Sequence, residues 1–205
     1  MIKYDEFGLI LQHRPDEPDY ADGGDSCMKT SIAVIGGLTS ALKLDAFVNS
    51  NYEVLRHPFI SPYNKTSETS RDQLIPLLAA ARLSKRPYFA SVISDNYKYR
   101  INKDLLISPS IQWFMRKCAG DDSYSWLGDK MIRLDIWYAS KRDPDHELNQ
   151  LFCMCLVLGK QYVQLLCKSH PDWRKNIRDY WGTETKFRFQ PEIGEAFIQR
   201  IEQEL

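Results

Sequence analysis

Apolar residues along this chain recur mainly at intervals of three and four positions, which is the spacing of one face of an α-helix. The spacing and its flanking residues predict helices over 26–43, 74–83, 87–96, 109–118, 123–140, 144–168, 171–180 and 191–204. Alternating strand patterns are scarce, and the clearest one, Lys186-Phe187-Arg188-Phe189, is short. The fold is therefore predicted to be all-α or nearly so, with helical hairpins and one or two long loops.

Two of the predicted helices differ in how their apolar residues are distributed. The segment from Leu148 to Leu166 is apolar on nearly every side, so we expect it to form the central buried helix, with Leu151, Cys153, Cys155 and Leu158 in the core. In the helix over 123–140 the apolar residues follow one face: Trp126, Leu127, Met131, Leu134 and Tyr138.

The predicted helix starts carry capping signals. Asp25 or Ser26 can cap the first helix, and Ser70 with Gln73 fits a capping box, in which the serine caps and the glutamine reaches back. Ser108-Pro109 and Asp143-Pro144 each put a capping residue before a proline at the first helical position.

Glycine and proline mark three further features. Gly36-Gly37 beside the apolar face of the first helix suggests close approach to a neighbouring helix. Pro76 is expected to kink its helix or to confine the regular part to the residues after it. Residues 1–25 show no helical period, and 45–69 form a long connection of a kind that is more often functional or mobile than filler. The organisation predicted is one helical domain over 1–205 with an irregular segment at about 1–25.

Composition narrows the functional classes. Lys plus Arg and Asp plus Glu are equal at 27 each, which gives no bulk basic field for nucleic acid. The N-terminus lacks the apolar segment of a signal peptide, and the most apolar stretch, 151–158, is too short to span a membrane. These features predict a cytoplasmic protein, or one packaged in a virion. The five cysteines are expected to be free thiols, and no metal site or cofactor is indicated.

Acidic residues occur where three loops turn into helices, represented by Asp25, Asp72 and Asp122. One interpretation is that they only cap helices, because carboxylates there favour the helix dipole. The other is that they line one rim, where paired carboxylates divide general-acid and general-base work. Under that hypothesis the three acids are catalytic, and a ligand is bound by Arg56, His57, Arg71 and Trp126.

Several short motifs carry a resemblance. Asp22-Gly23-Gly24-Asp25-Ser26, Arg56-His57-Pro58 and Ser70-Arg71-Asp72-Gln73 resemble an uncharacterised group of bacterial and phage proteins, which in turn looks like the (α/α)-toroid glycan-processing enzymes. Ser125-Trp126-Leu127-Gly128-Asp129 and His146-Glu147-Leu148-Asn149 are consistent with it. The resemblance implies helical hairpins around a cleft of acids and aromatic residues. A closed toroid needs more helices than this sequence predicts, so the ring would be incomplete.

Two functions remain open from the sequence. The first is a protein that binds a glycan or similar polar ligand in an acidic and aromatic cleft. A protein of this kind could also hydrolyse its ligand. The second is a non-catalytic interaction or structural protein, encoded by a phage or associated with a virion, whose surface meets a protein. Acids gathered in one pocket favour the first, and a flat apolar-aromatic patch favours the second.

Overall fold

Helices make up most of the chain, as the spacing predicted. The computed structural model describes residues 2–13, 21–97, 107–139, 145–182 and 190–205. The α-helices in these ranges are α1 Ser26–Ile35, α2 Arg71–Leu83, α3 Pro87–Tyr97, α4 Pro109–Cys118, α5 Trp126–Ala139, α6 Asp145–Leu158, α7 Lys160–Ser169, α8 Trp173–Gly182 and α9 Pro191–Glu202. Two 3₁₀ helices, Ala41–Phe47 and Thr66–Glu68, lie in the connection before α2, and β1 Gln12–His13 pairs antiparallel with β2 Ala21–Asp22. The all-α class is confirmed.

Two buried helices form the centre of the molecule. Every residue of α1 is buried, including the polar side chains of Ser26, Lys29 and Thr30. The four residues of α6 predicted for the core, Leu151, Cys153, Cys155 and Leu158, are buried as expected. Helix α2 packs against α1 and against α6, so it joins the two buried helices.

The segment predicted as one helix over 144–168 is two helices. Gly159 has a φ of +127°, a backbone conformation that residues with a Cβ rarely adopt, and it separates α6 from α7. The all-round apolar pattern of α6 hides this break, because apolar periodicity carries no information about the backbone conformation of a single glycine.

The glycine pair after α1 has two separate roles. A Cβ on Gly36 would lie 2.8 Å from the Cβ of Ala196, so this glycine allows α1 to approach α9 closely, as predicted. Gly37 has a φ of +77° and open space around it. The amides of Gly37 and Leu38 bond back to the carbonyls of Val34 and Ala33 in the pattern of a Schellman cap. The first helix therefore ends at Ile35, eight residues before its predicted end.

Helix α2 begins at Arg71, directly after the predicted cap Ser70 and three residues before the predicted range of 74–83, but the predicted capping box does not form. Ser70 occupies the capping position without a side-chain capping bond, and Gln73 does not reach back to it. The amide of Gln73 instead spans to α1, where its oxygen accepts from the backbone N–H of Met28 at 3.0 Å. Pro76 lies inside the helix, which already begins at Arg71, so the regular part is not confined to the residues after the proline. The alternative, a kink at Pro76, stays a prediction.

Helix α5 turns its apolar face outward. The residues that it buries are Gly128, Asp129, Ile132, Ile136 and Ala139. Trp126, Leu127, Leu134, Trp137 and Tyr138 are all exposed. The three-and-four spacing marked a real helical face, but that face does not pack on the core.

The remaining sequence predictions concern one strand-like segment and two helix caps. The alternating residues at 186–189 and the cap at Asp143-Pro144 lie outside the described residues. The cap at Ser108 is confirmed, because its hydroxyl accepts from the backbone N–H of Ile111 at 3.3 Å, with Pro109 at the first helical position. Among the described helices, none is both long and apolar enough to cross a bilayer.

Candidate functional site

Asp25 takes part in a polar cluster that ties the start of α1 to the start of α2. Its carboxylate lies 3.8 Å from the Arg56 guanidinium and accepts from the Gln73 amide at 3.5 Å. Arg56 also donates to the Gly24 carbonyl at 3.2 Å and to the Ser70 hydroxyl at 3.4 Å. Asp25 precedes α1 but makes no side-chain capping bond. Two predicted site residues, Asp25 and Arg56, are therefore close together.

Arg71 and Asp72 face a different set of side chains at the same end of α2. The Asp72 carboxylate accepts a hydrogen bond from the side-chain amide of Gln150 on α6. Arg71 lines a cleft together with Gln150 and with residues of α4 and α5. Asp25 and Asp72 thus lie at the same end of α2, each with its own set of contacts.

Asp122 and Trp126 lie away from this end. The Asp122 carboxylate is 3.5 Å from both Arg82 and Lys117, and its side chain is 72% exposed. Arg82 is in the last turn of α2, ten residues after Asp72, or about 15 Å along the helix at about 1.5 Å per residue. Trp126 is 65% exposed at the first position of α5. The predicted acids therefore do not form a single rim.

His57 is buried against the N-terminal segment, with only 1% of its surface exposed. Its Nδ1 accepts from the backbone N–H groups of Phe59 at 3.1 Å and Ile60 at 3.3 Å, which puts the proton of the neutral ring on Nε2. Nε2 lies 3.2 Å from an Asp5 oxygen, although the two atoms are not aligned for a hydrogen bond. Burial lowers the pKa of His57 and outweighs the opposing effect of Asp5. In the structure, the contacts of His57 hold loop backbone in place.

The cleft beside Arg71 is the candidate site. It has a volume of about 230 Å³ and lies between the start of α2, the start of α4, the end of α5 and the start of α6. Its polar side chains are Arg71, Ser108, Asp135, Tyr138, Glu147 and Gln150. Ile75, Ile111, Leu151 and Met154 form its apolar part. One guanidinium, two carboxyl groups and an aromatic ring therefore meet around an apolar floor, which is the composition typical of a ligand site.

Asp135 is the group of the cleft whose protonation is most clearly altered. Burial raises its pKa above 3.8, and the charge of Glu147 acts in the same direction. The Ser110 hydrogen bond and the charge of Arg71 lower the pKa, but less than burial raises it. Asp135 therefore keeps its proton to a higher pH than an ordinary aspartate.

A chain of hydrogen bonds connects Asp135 to the start of α4. The Ser110 hydroxyl donates to Asp135 Oδ2 at 2.5 Å, and the hydroxyls of Ser108 and Ser110 are 2.7 Å apart. Because Ser110 uses its single hydrogen on the carboxyl group, Ser108 must donate to Ser110 in this arrangement. The helix cap at Ser108 therefore also orients a donor toward Asp135.

A second and larger cleft, of about 400 Å³, lies along α4 between α3 and α5. Its charged residues, Asp95 and Arg116, are both exposed. Arg116 is 3.8 Å from Asp121. The smaller cleft is the better candidate because it combines a partly buried carboxyl group of raised pKa with a nearby cation and a second carboxyl group.

Of the residues that line the cleft, Arg71 was predicted from the sequence to bind a ligand, whereas no such role was predicted for Asp135, Tyr138 or Gln150. Asp135 stands between the buried Ile132 and Ile136 of α5, and an acid at the border of a buried face was the available signal. Glu147 lay in a motif that carried the resemblance, without a role assigned to it. No group of three or more His, Cys, Asp or Glu side chains suited to a metal occurs in the described ranges.

Comparisons with protein-family models, with curated proteins and with solved structures found no match for this chain.

Proposed function

We propose that the cleft between α2, α4, α5 and α6 binds a small polar ligand of about the size of one sugar ring. The supporting observation is the grouping of Arg71, Asp135 and Glu147 around an apolar floor. The volume of about 230 Å³ is below the range of roughly 300–1,000 Å³ that drug-sized ligands occupy. It holds about eight water molecules at about 30 Å³ each.

Each polar group of the cleft has a distinct part in this proposal. The Arg71 guanidinium offers a fork of donors for a carboxylate or hydroxyl oxygen of the ligand. Glu147, which is exposed, accepts from hydroxyl groups, and the ring of Tyr138 provides a surface for the apolar face of a sugar. Burial raises the pKa of Asp135, so this carboxyl group keeps its proton to a higher pH than an ordinary aspartate, and in its protonated form it donates to the ligand.

The carboxyl groups of Asp135 and Glu147 could also hydrolyse a glycosidic bond, which is the enzymatic version of this proposal. Glycoside hydrolysis uses one carboxyl group as acid and a second as base or nucleophile. Asp135 fits the acid, and Glu147 fits the second group. Asp25, Asp72 and Asp122 remain predictions as catalytic residues, and Asp72 is the nearest of them in the structure, through Gln150.

The test is a binding screen by protein NMR with glucose, N-acetylglucosamine, glucuronate and their short oligosaccharides. We expect one class to shift the resonances of α5 and α6, and Asp135→Asn and Arg71→Gln each to weaken that binding at least about tenfold. Asp172→Asn is the matched control, because Asp172 is exposed in the turn before α8 and does not line the cleft. The proposal is wrong if no sugar binds, or if both cleft variants bind like the wild type. Release of reducing sugar from the oligosaccharides tests the enzymatic version.

A further inference from the structure

The outer face of α5 is unusually apolar for an exposed surface. Trp126 and Trp137 are 65% and 56% exposed, and Leu127, Leu134 and Tyr138 accompany them on the same side of the helix. An aromatic side chain covers about 150–250 Å², so these three rings alone expose roughly 300 Å². The largest apolar patch on a typical monomer is about 300–600 Å² and is often functional, so the α5 face falls in that class.

The order of residues on this face is nearly symmetric about its middle. Trp126 and Leu127 stand at one end, Trp137 and Tyr138 at the other, and Leu134 lies between them. If two copies of α5 cross antiparallel about a two-fold axis, the first pair of one chain lies beside the last pair of the other. A two-fold interface needs this self-complementarity, because the same patch serves both chains.

The charges on the face are compatible with that pairing. Arg133 is neutralised within its own chain by Asp129, at 3.0 Å, and its guanidinium lies over the ring of Tyr162. Lys130 and Leu134 stand two residues before and two residues after the midpoint of the Trp126–Tyr138 span. Antiparallel two-fold pairing therefore sets Lys130 of one copy beside Leu134 of the other, where its aliphatic stem packs and its ammonium group stays near the flanking rings. A cation over an aromatic ring is a favourable contact.

We infer that the α5 face, defined by Trp126, Leu127, Leu134, Trp137 and Tyr138, binds a second copy of this chain to form a two-fold homodimer. A standard interface covers about 800 Å² on each side, of which the aromatic residues of α5 and its two leucines supply a large share. Tyr138 belongs both to this face and to the wall of the candidate cleft. The second copy would therefore stand at the edge of the cleft, although the dimer does not depend on what the cleft binds.

The test is the mass of the protein in solution over a concentration series, by sedimentation equilibrium. The chain weighs 23.9 kDa, so the wild type is expected to approach twice that mass at high concentration. Leu134→Glu should raise the dimer dissociation constant at least about 30-fold, as loss of a central contact does. Leu42→Glu is the matched control, since Leu42 is exposed outside α5, and it should dimerise like the wild type. Circular dichroism confirms that both variants are folded.

Cross-linking gives a second measurement that does not need a disruptive variant. Leu134→Cys should be joined between two chains by a short thiol-reactive linker, whereas Leu42→Cys should not. A wild type that stays at 23.9 kDa, or a Leu134→Glu variant that dimerises like the wild type, overturns the inference. Equal cross-linking at the two positions also overturns it.

Discussion

At the residue scale, Asp135 lies in an environment that is unfavourable for a charged carboxylate, although a serine hydroxyl donates a hydrogen bond to it. Its carboxyl group is partly buried, which opposes ionisation, while Ser110 donates to it and Arg71 acts on it with a positive charge. A protein gains little stability from such an arrangement, since an asparagine of the same shape accepts the same hydrogen bond without the cost of a charge. Keeping an acid there is therefore more consistent with a use for its proton than with packing.

This argument predicts how Asp135→Asn changes stability with pH. The pKa of Asp135 is raised on folding, so its contribution to stability is fully present below the unfolded value of 3.8 and is lost as pH rises through the folded value. The variant should therefore have a higher free energy of unfolding than the wild type at neutral pH, and the difference should shrink toward pH 3.8. Urea melts at the two pH values measure it. A variant less stable at neutral pH would show that the ionised carboxylate stabilises the fold.

Gly23 packs closely against His57, away from the cleft. A Cβ on Gly23 would lie 2.5 Å from the Cβ of His57 and 2.6 Å from its ring, so a methyl group cannot fit unless the buried loop moves. We expect Gly23→Ala to lower the free energy of unfolding by about 1–3 kcal/mol, as overpacking does. The control is Gly182→Ala, where nothing lies within 4 Å of the added Cβ. Equal stability of the two variants in urea would contradict the packing described here.

At the scale of elements, local chemistry was easier to predict from the sequence than tertiary contacts were. The Ser108-Pro109 cap could be predicted because it depends on residue types within a few positions of one another. The glycine at 36 indicated a close approach, but its partner Ala196 could not be predicted from the sequence nearby. Gln73 could not, because whether it reaches back within α2 or across to Met28 of α1 depends on a helix far away in the sequence. The same holds for the cleft, since Asp135 and Arg71 come from different helices.

The two apolar helices α5 and α6 show what periodicity leaves undecided. Spacing defines a face but does not say what covers it, so the apolar face of α5 is exposed while α6 is buried. Leu151→Ala in α6 should cost about 2–5 kcal/mol, through lost burial and the cavity that it leaves. Leu127→Ala on the outer face of α5 should cost less than about 0.5 kcal/mol. Both are measured by urea melts at low protein concentration, so that self-association does not contribute. Similar losses at the two sites would show that the α5 face is packed.

At the scale of the whole molecule, the reactivity of the five cysteine thiols measures how accessible the core is to solvent. Cys27, Cys118, Cys153 and Cys155 are free and buried, and Cys167 is half-buried. Burial raises the pKa of each thiol, to about 11 for Cys167, which leaves little reactive thiolate at neutral pH. Titration with a thiol reagent should recover five thiols after denaturation and reach Cys167 first in the native protein. Fast reaction of several native thiols would mean that the core opens readily.

The candidate cleft depends on the packing of the whole molecule, because its guanidinium and its two carboxyl groups come from three helices, α2, α5 and α6. Arg71, Asp135 and Glu147 are far apart in the sequence, and their charges act on one another only if the helices pack as described. Arg71 should lower the pKa of Asp135 and Glu147 should raise it. Neutralising Arg71 should therefore raise the pKa of Asp135, and neutralising Glu147 should lower it.

The most direct test is a titration of the Asp135 side-chain carboxyl carbon by ¹³C NMR in the wild type, Glu147→Gln and Arg71→Gln. The pKa of Asp135 in the wild type is expected above 3.8, with a lower value in Glu147→Gln and a higher one in Arg71→Gln. A wild-type pKa at or below 3.8, or a value that neither substitution moves, would contradict the presence of these three groups in one cleft.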